Sequence, residues 1–202
     1  MKTTLIMAIA FTFALSAKAQ YSNTPAAPTK AAKPVPQGTA PSAETVAKAN
    51  APAGPTDAQI AAIVVAANTV DIEAGQLAKT NATHPEVKKF AEQMVTDHTS
   101  VNKSAVELVT KLKVTPQDNP TSNSLKTAGK QNIAKLKGLK GAAFDKAYVD
   151  NEVAYHQSVL DAVDKVLIPS AQNAELKALL VKVRPAFVAH LEHAKHIQTT
   201  IK

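Results

Sequence analysis

The chain has no cysteine and no tryptophan, 4% aromatic residues and only six glycines in 202 positions. Without thiols there can be no disulfide, no thiol catalysis, no lipid-modified cysteine and no Cys-based zinc or iron–sulfur site. The fold must rest on burial alone, and any metal must be held by His and carboxylate side chains. So few aromatics leave no stacking platform for single-stranded nucleic acid, and no specific nucleic-acid partner is expected. Neither a Gly-x-Ser-x-Gly elbow nor a phosphate loop is present, so nothing in the sequence identifies an enzyme. Strand-like alternation of useful length is missing too, and beyond the amino terminus no apolar run looks long enough to span a membrane.

What is present begins with an export signal. Lys2, the apolar run Leu5 to Ala17 and the small-residue pattern Ala17-Lys18-Ala19 predict a signal peptide over residues 1–19 and a periplasmic or cell-envelope location. Residues 20–55 hold seven of the twelve prolines and almost no large apolar side chains, the composition of a disordered linker. The formal net charge of +7 falls by two when Lys2 and Lys18 leave with the signal. Much of the remainder lies in Lys126, Lys130, Lys135, Lys137 and Lys140, a face suited to weak contact with an anionic envelope surface. Plain solvation is the commoner use of such a run.

From Thr56 to Lys202 the pattern is helical throughout. Thr56-Asp57-Ala58-Gln59 resembles a capping box and opens a first helix to about Asn81. Gly75 in its interior implies close approach of a neighbour. A short turn and Pro85 start a second helix, which ends before Thr115-Pro116. Residues 114–142 read as a crossover: TPQDNPTSNS as loop, Leu125 to Leu136 as a short extra helix, then Gly138 and Gly141 as a turn. Phe144 to Leu167 reads as one long amphipathic helix. Ile168-Pro169-Ser170 breaks it, with Ser170 as N-cap of a fourth helix interrupted by Pro185, where a kink is expected. The fold class is therefore all-α, a four-helix bundle whose topology the crossover leaves open.

Each of the four main helices carries an ionisable residue on its apolar stripe: Glu73, His98, Glu152 with His156, and His190. Mixed imidazole and carboxylate ligands from facing helices suit iron, manganese or zinc. A rise of about 1.5 Å per residue places His156 nearest His98 in height and Glu152 nearest His190. Tyr148, four before Glu152, is a candidate hydrogen-bond donor to it. His190, His193 and His196 also form a surface ladder able to bind metal adventitiously. The Glu-x-x-His spacing of di-iron bundles is absent, and the competing reading is a metal-free polar network that fixes helix register.

The segments DIEAGQLA, VKKFAEQMVTDH, FDKAYVDNEVAYHQSVLD and RPAFVAHLEHA resemble a family of bacterial exported domains of unknown function with a ferritin-like fold, often labelled outer membrane proteins. The resemblance implies a ferritin-like four-helix bundle and characteristic family positions at Glu73, Asp97, His98, Tyr148, His156 and His190. It implies no activity. Two functions stay open: a bundle binding a transition metal in a stress or redox role, and a non-enzymatic envelope module whose buried polar residues only specify packing.

Overall fold

The computed structural model describes residues 54–201. The signal peptide and all but the last two residues of the linker lie outside them. Five long helices follow, α1 (Asp57–Asn81), α2 (Pro85–Lys111), α3 (Pro120–Lys137), α4 (Gly141–Ala162) and α5 (Ala174–Thr200), and no strand occurs among the described residues.

Local chemistry sets the helix ends. Thr56 Oγ1 accepts from Gln59 N–H at 3.3 Å while Gln59 Oε1 accepts from Thr56 N–H at 3.0 Å, which completes the capping box. At the end of α2 the N–H of Val114 reaches the Val109 carbonyl and that of Lys113 the Thr110 carbonyl. This is a Schellman closure, with Lys113 at φ 55° where glycine is usual. The crossover helix is longer than its sequence implies, because Pro120 takes the first helical position and Asn119 forms a reciprocal cap with Ser122. Half of the stretch read as loop is thus helix.

A second correction concerns the break after α4. Val163–Leu167 forms a π turn, with the Ile168 N–H bonded to the Val163 carbonyl, and a last helical turn runs through Ile168–Ser170. Widening the helix there makes room for the Pro169 ring, which in a regular α-helix clashes with the carbonyl four residues back. The N-cap of α5 is then Asn173, whose Oδ1 accepts from Glu175 and Leu176 N–H, and not Ser170. The helix continues through Pro185.

Contacts at the two ends give the topology. The Asp57 carboxylate at the start of α1 accepts from the backbone of Gln172 and Asn173, beyond the end of α4. Asp145, near the start of α4, binds the backbone of Thr83 and His84, beyond the end of α1. These two helices are therefore antiparallel. Glu86 meets Thr200 and Lys111 meets Glu175, so α2 and α5 are antiparallel as well. Two helical hairpins, α1–α2 and α4–α5, pack together, and α3 carries the chain back along the outside of α1. A Cβ on Gly75 would lie 3.0 Å from Val95 Cγ2 of α2, and one on Gly129 of α3 only 2.6 Å from Val70 Cγ2, so both glycines serve close helix approach.

Helix α1 is therefore covered on two faces. Its most apolar 18 residues would satisfy a membrane-span test by length and composition, contrary to the reading of the sequence, yet 56% of that window is buried by its neighbours. The core divides by height. One apolar cluster, including Ala78, Phe90, Met94, Leu136, Phe144 and Ile197, fills the end where α4 begins. Another, including Ile60, Val64, Ala105, Leu167 and Leu180, fills the opposite end. A polar layer lies between them.

Candidate metal centre

The layer is built from one or two turns of each of the four bundle helices. Asp71 comes from α1, His98 from α2, Glu152 and His156 from α4, and His190 from α5, all of them buried, with Asp71, Glu152 and His156 each 1% exposed. The rings of His98, His156 and His190 lie 5.3 to 5.5 Å apart, centre to centre, and Phe187 stacks on His98 at 5.3 Å. His156 lies against His98, as height along the bundle implies. His190 joins both of them, where height had paired it with Glu152.

Glu73 does not reach the layer. It is exposed, on the rim of a surface cavity of about 410 Å³ between α1 and α3, together with Thr69, Asp118, Lys126 and Lys130. The helix phase explains the error. Val70, used to align Glu73, faces Gly129 of α3 and not the bundle interior. The interior stripe is Ile60, Val64, Ala67, Asp71, Ala74 and Ala78, and the four-residue step from Ala67 to Asp71 was readable once α1 is known to have two buried faces. The five lysines of the basic run are all exposed, Lys126 paired with Asp118 at 2.7 Å.

Hydrogen bonds fix the state of each imidazole. The Asn68 amide donates to the Val64 carbonyl, which turns Asn68 Oδ1 towards His98 Nδ1 at 2.7 Å, so that nitrogen carries the proton. His156 Nδ1 donates to the Glu152 carbonyl at 3.1 Å, and His190 Nε2 donates to the Asp97 carboxylate at 2.9 Å. The remaining nitrogens, His98 Nε2, His156 Nε2 and His190 Nδ1, are buried without a hydrogen-bond partner. One ring nitrogen from each of the three histidines lies within 4.8 Å of one from each of the others. Outer hydrogen bonds that orient rings and leave their inner lone pairs bare are the arrangement found behind metal-ligating histidines.

Asp71 and Glu152 add oxygens to the same space. Asp71 Oδ2 stands 3.2 Å from His98 Nε2 and 3.6 Å from His156 Nε2. Metal bonds of about 2.0–2.1 Å in a tetrahedral site separate the donor atoms by roughly 3.4 Å, and the two observed spacings bracket that value. Both Asp71 oxygens and Glu152 Oε2 are buried without a partner. Burial raises the Asp71 pKa to about 7, with the neighbouring Glu152 carboxyl acting the other way. Glu152 is pushed well above the ordinary range, by burial first and then by the neighbouring Asp71 charge. Glu152 is thus the protonated member of the pair. The histidines move the other way. Burial, reinforced by the nearby imidazoles, holds His98 far below its usual value and His156 at about 4. His190 is lowered mainly by burial, with Asp97 opposing.

Tyr148, expected to donate to Glu152, is fully buried, but its hydroxyl has no partner, and burial together with the two carboxylates raises its pKa strongly. Tyr155 instead donates to the Ala67 carbonyl at 2.9 Å and ties α4 to α1. Asn68 and Phe187 gave no signal in the sequence, because an amide and a phenyl ring on buried faces look like ordinary packing. Of the surface ladder, His193 sets its ring edge to face against Phe90 at 5.2 Å and His196 is exposed. Neither joins the layer.

Neither the curated proteins nor the solved structures offer a match to this chain. A family model does match, over residues 41–197, starting inside the stretch read as linker and ending in the last turn of α5. That match covers more than half of the chain, which therefore belongs to the family DUF4142, a domain of unknown function.

Proposed function

We propose that this protein binds one transition-metal ion in the polar layer through His98, His156 and His190, with Asp71 and Glu152 supplying carboxylate oxygen. The observation that carries the reading is the set of three buried imidazole nitrogens left without partners by hydrogen bonds on the far side of each ring. Leaving that many buried polar atoms unpaired is costly, and a cation offsets the cost at every one of them. Three nitrogens with two carboxylates suit iron, manganese or zinc. The ion would supply Lewis-acid or redox chemistry, in keeping with a stress or redox role in the cell envelope. We read the protein as exported and the fold as ferritin-like, since a single long crossover between two hairpins is a ferritin-like connection. The exposed lysines of α3 and its exit are read as a face for weak contact with an anionic envelope surface.

One observation favours a second reading, an envelope module with a metal-free network. The 3.2 Å between Asp71 Oδ2 and His98 Nε2 suits a shared proton as well as a shared cation. Metal analysis of the chain purified without a His tag separates the two. Near-stoichiometric metal in the wild type that disappears in His156→Ala supports the metal centre. A metal-free wild type whose His156→Ala variant is merely less stable sinks it in favour of the network.

A further inference from the structure

The polar layer is closed on nearly every side. Apolar clusters cap it above and below. The α1 wall is backed by α3, with Gly129 against Val70, and the α1–α4 seam is tied by the Tyr155 hydroxyl on the Ala67 carbonyl. Between α1 and α2, Gly75 allows backbone-close packing, and Asn102 bonds Thr69 further along.

The seam between α2 and α5 differs. His190 is 2% exposed and aims its unpartnered Nδ1 into the layer, while its outer nitrogen holds Asp97, whose side chain is 40% exposed. Of the three imidazoles, this one alone is oriented by a group that faces water. His98 is held by the buried Asn68, and His156 by a carbonyl of its own helix.

Resting on the metal-binding reading above, we propose that Asp97 is the capture point through which a divalent cation reaches the polar layer, with His190 the ligand that turns to admit it. The chemistry follows from the hydrogen bond. A cation held on the Asp97 carboxylate repels the Nε2 proton of His190 and breaks the bond that fixes the ring. The freed ring rotates about its Cβ–Cγ bond and opens the seam. Once the ion has passed inward, Asp97 again accepts from Nε2, and Nδ1 faces the ion. Asp97 thus acts on the route as well as on the orientation of His190 in the loaded state. Gln93, which donates to the same carboxylate oxygen from 3.3 Å, steadies Asp97 from the solvent side.

A residue that only orients a ligand weakens the equilibrium through faster release and leaves loading alone, whereas one on the route slows loading. The test mixes the chelator-stripped full-length chain with Co2+ and follows ligand-field absorbance, then follows release into excess chelator. The variants are Asp97→Ala and, as a surface-charge control, Glu92→Ala, which removes an exposed carboxylate of α2. Asp97→Ala should slow loading about tenfold or more, reach the wild-type stoichiometry at saturating Co2+ and weaken Kd about tenfold or more, with Glu92→Ala behaving as wild type. Wild-type rates in Asp97→Ala overturn the proposal. So does a weakened Kd with unchanged loading, which would make Asp97 a support for the ligand set only. A wild-type chain that takes up no Co2+ at any time overturns the metal-binding reading itself and the loading route with it.

Discussion

Two carboxylates buried on α4 and α1 make opposite use of burial. Asp145 accepts from Thr83 N–H at 2.9 Å, Thr83 Oγ1 at 2.6 Å and His84 N–H at 2.9 Å, and so closes the turn between α1 and α2. Asp71, as deeply buried, has no hydrogen-bond donor for either oxygen and faces bare imidazole nitrogens. Burial alone therefore does not mark a functional group here. Satisfaction does: the first acid has spent its lone pairs on the fold, and the second has kept them.

The largest expected effect breaks the satisfied site. Asp145→Ala strands two backbone N–H groups and a hydroxyl at a helix start, and hydrogen bonds to a charged acceptor are worth roughly 1.5–3 kcal/mol each before partial rehydration. A loss of about 3–4 kcal/mol in denaturant unfolding is expected, with metal content per folded molecule unchanged. A loss below about 1 kcal/mol would mean that the turn does not depend on this carboxylate.

How much of this was readable follows the same division. The number and placement of the bundle helices came from patterns that neighbours do not alter: the Thr56 capping box, Pro85 at a first helical position and the stripes of α2 and α4. His98, Glu152, His156 and His190 were legible because each interrupts an apolar stripe that faces one partner surface. Asp71 was not, since α1 faces both the bundle and α3, and its two stripes overlap in sequence around Val70. The Asn173 cap and the π turn were hidden for a related reason. Pro169 reads as a stop in any local scheme, and only a register shift in the turn before it keeps the helix going.

A smaller effect, in slope, sharpens the comparison by pH. For Asp71 the folded pKa, about 7, exceeds the ordinary 3.8. The folded state holds its proton longer, so this group's contribution to stability is complete below about 3.8 and is lost as pH rises to about 7. His156, lowered from 6.5 to about 4, has the opposite sign: its contribution is complete above 6.5 and is lost as pH falls to about 4. The two trends oppose each other in the metal-free wild type and flatten its profile. Asp71→Asn removes the first and exposes the second. With chelator present, the stability of Asp71→Asn minus that of wild type should climb with pH between about 4 and 7, by at most about 1.4 kcal/mol per pH unit. A difference that does not vary with pH would show that Asp71 ionises as easily folded as unfolded.

The smallest expected change in stability belongs to Glu152→Gln, and it separates the two acids most sharply. In the metal-free protein Glu152 already holds its proton, because burial and the Asp71 carboxylate disfavour a second charge. Gln replaces a neutral side chain by a neutral one of nearly the same shape. Metal-free stability at pH 6 should therefore stay within about 1 kcal/mol of wild type. Metal affinity should fall by tenfold or more, because an ion that could displace the Glu152 proton and take its oxygen finds an amide instead. A Glu152→Gln chain that unfolds as Asp145→Ala does, with metal content unaltered, would place Glu152 with the satisfied acids and return the polar layer to a packing device.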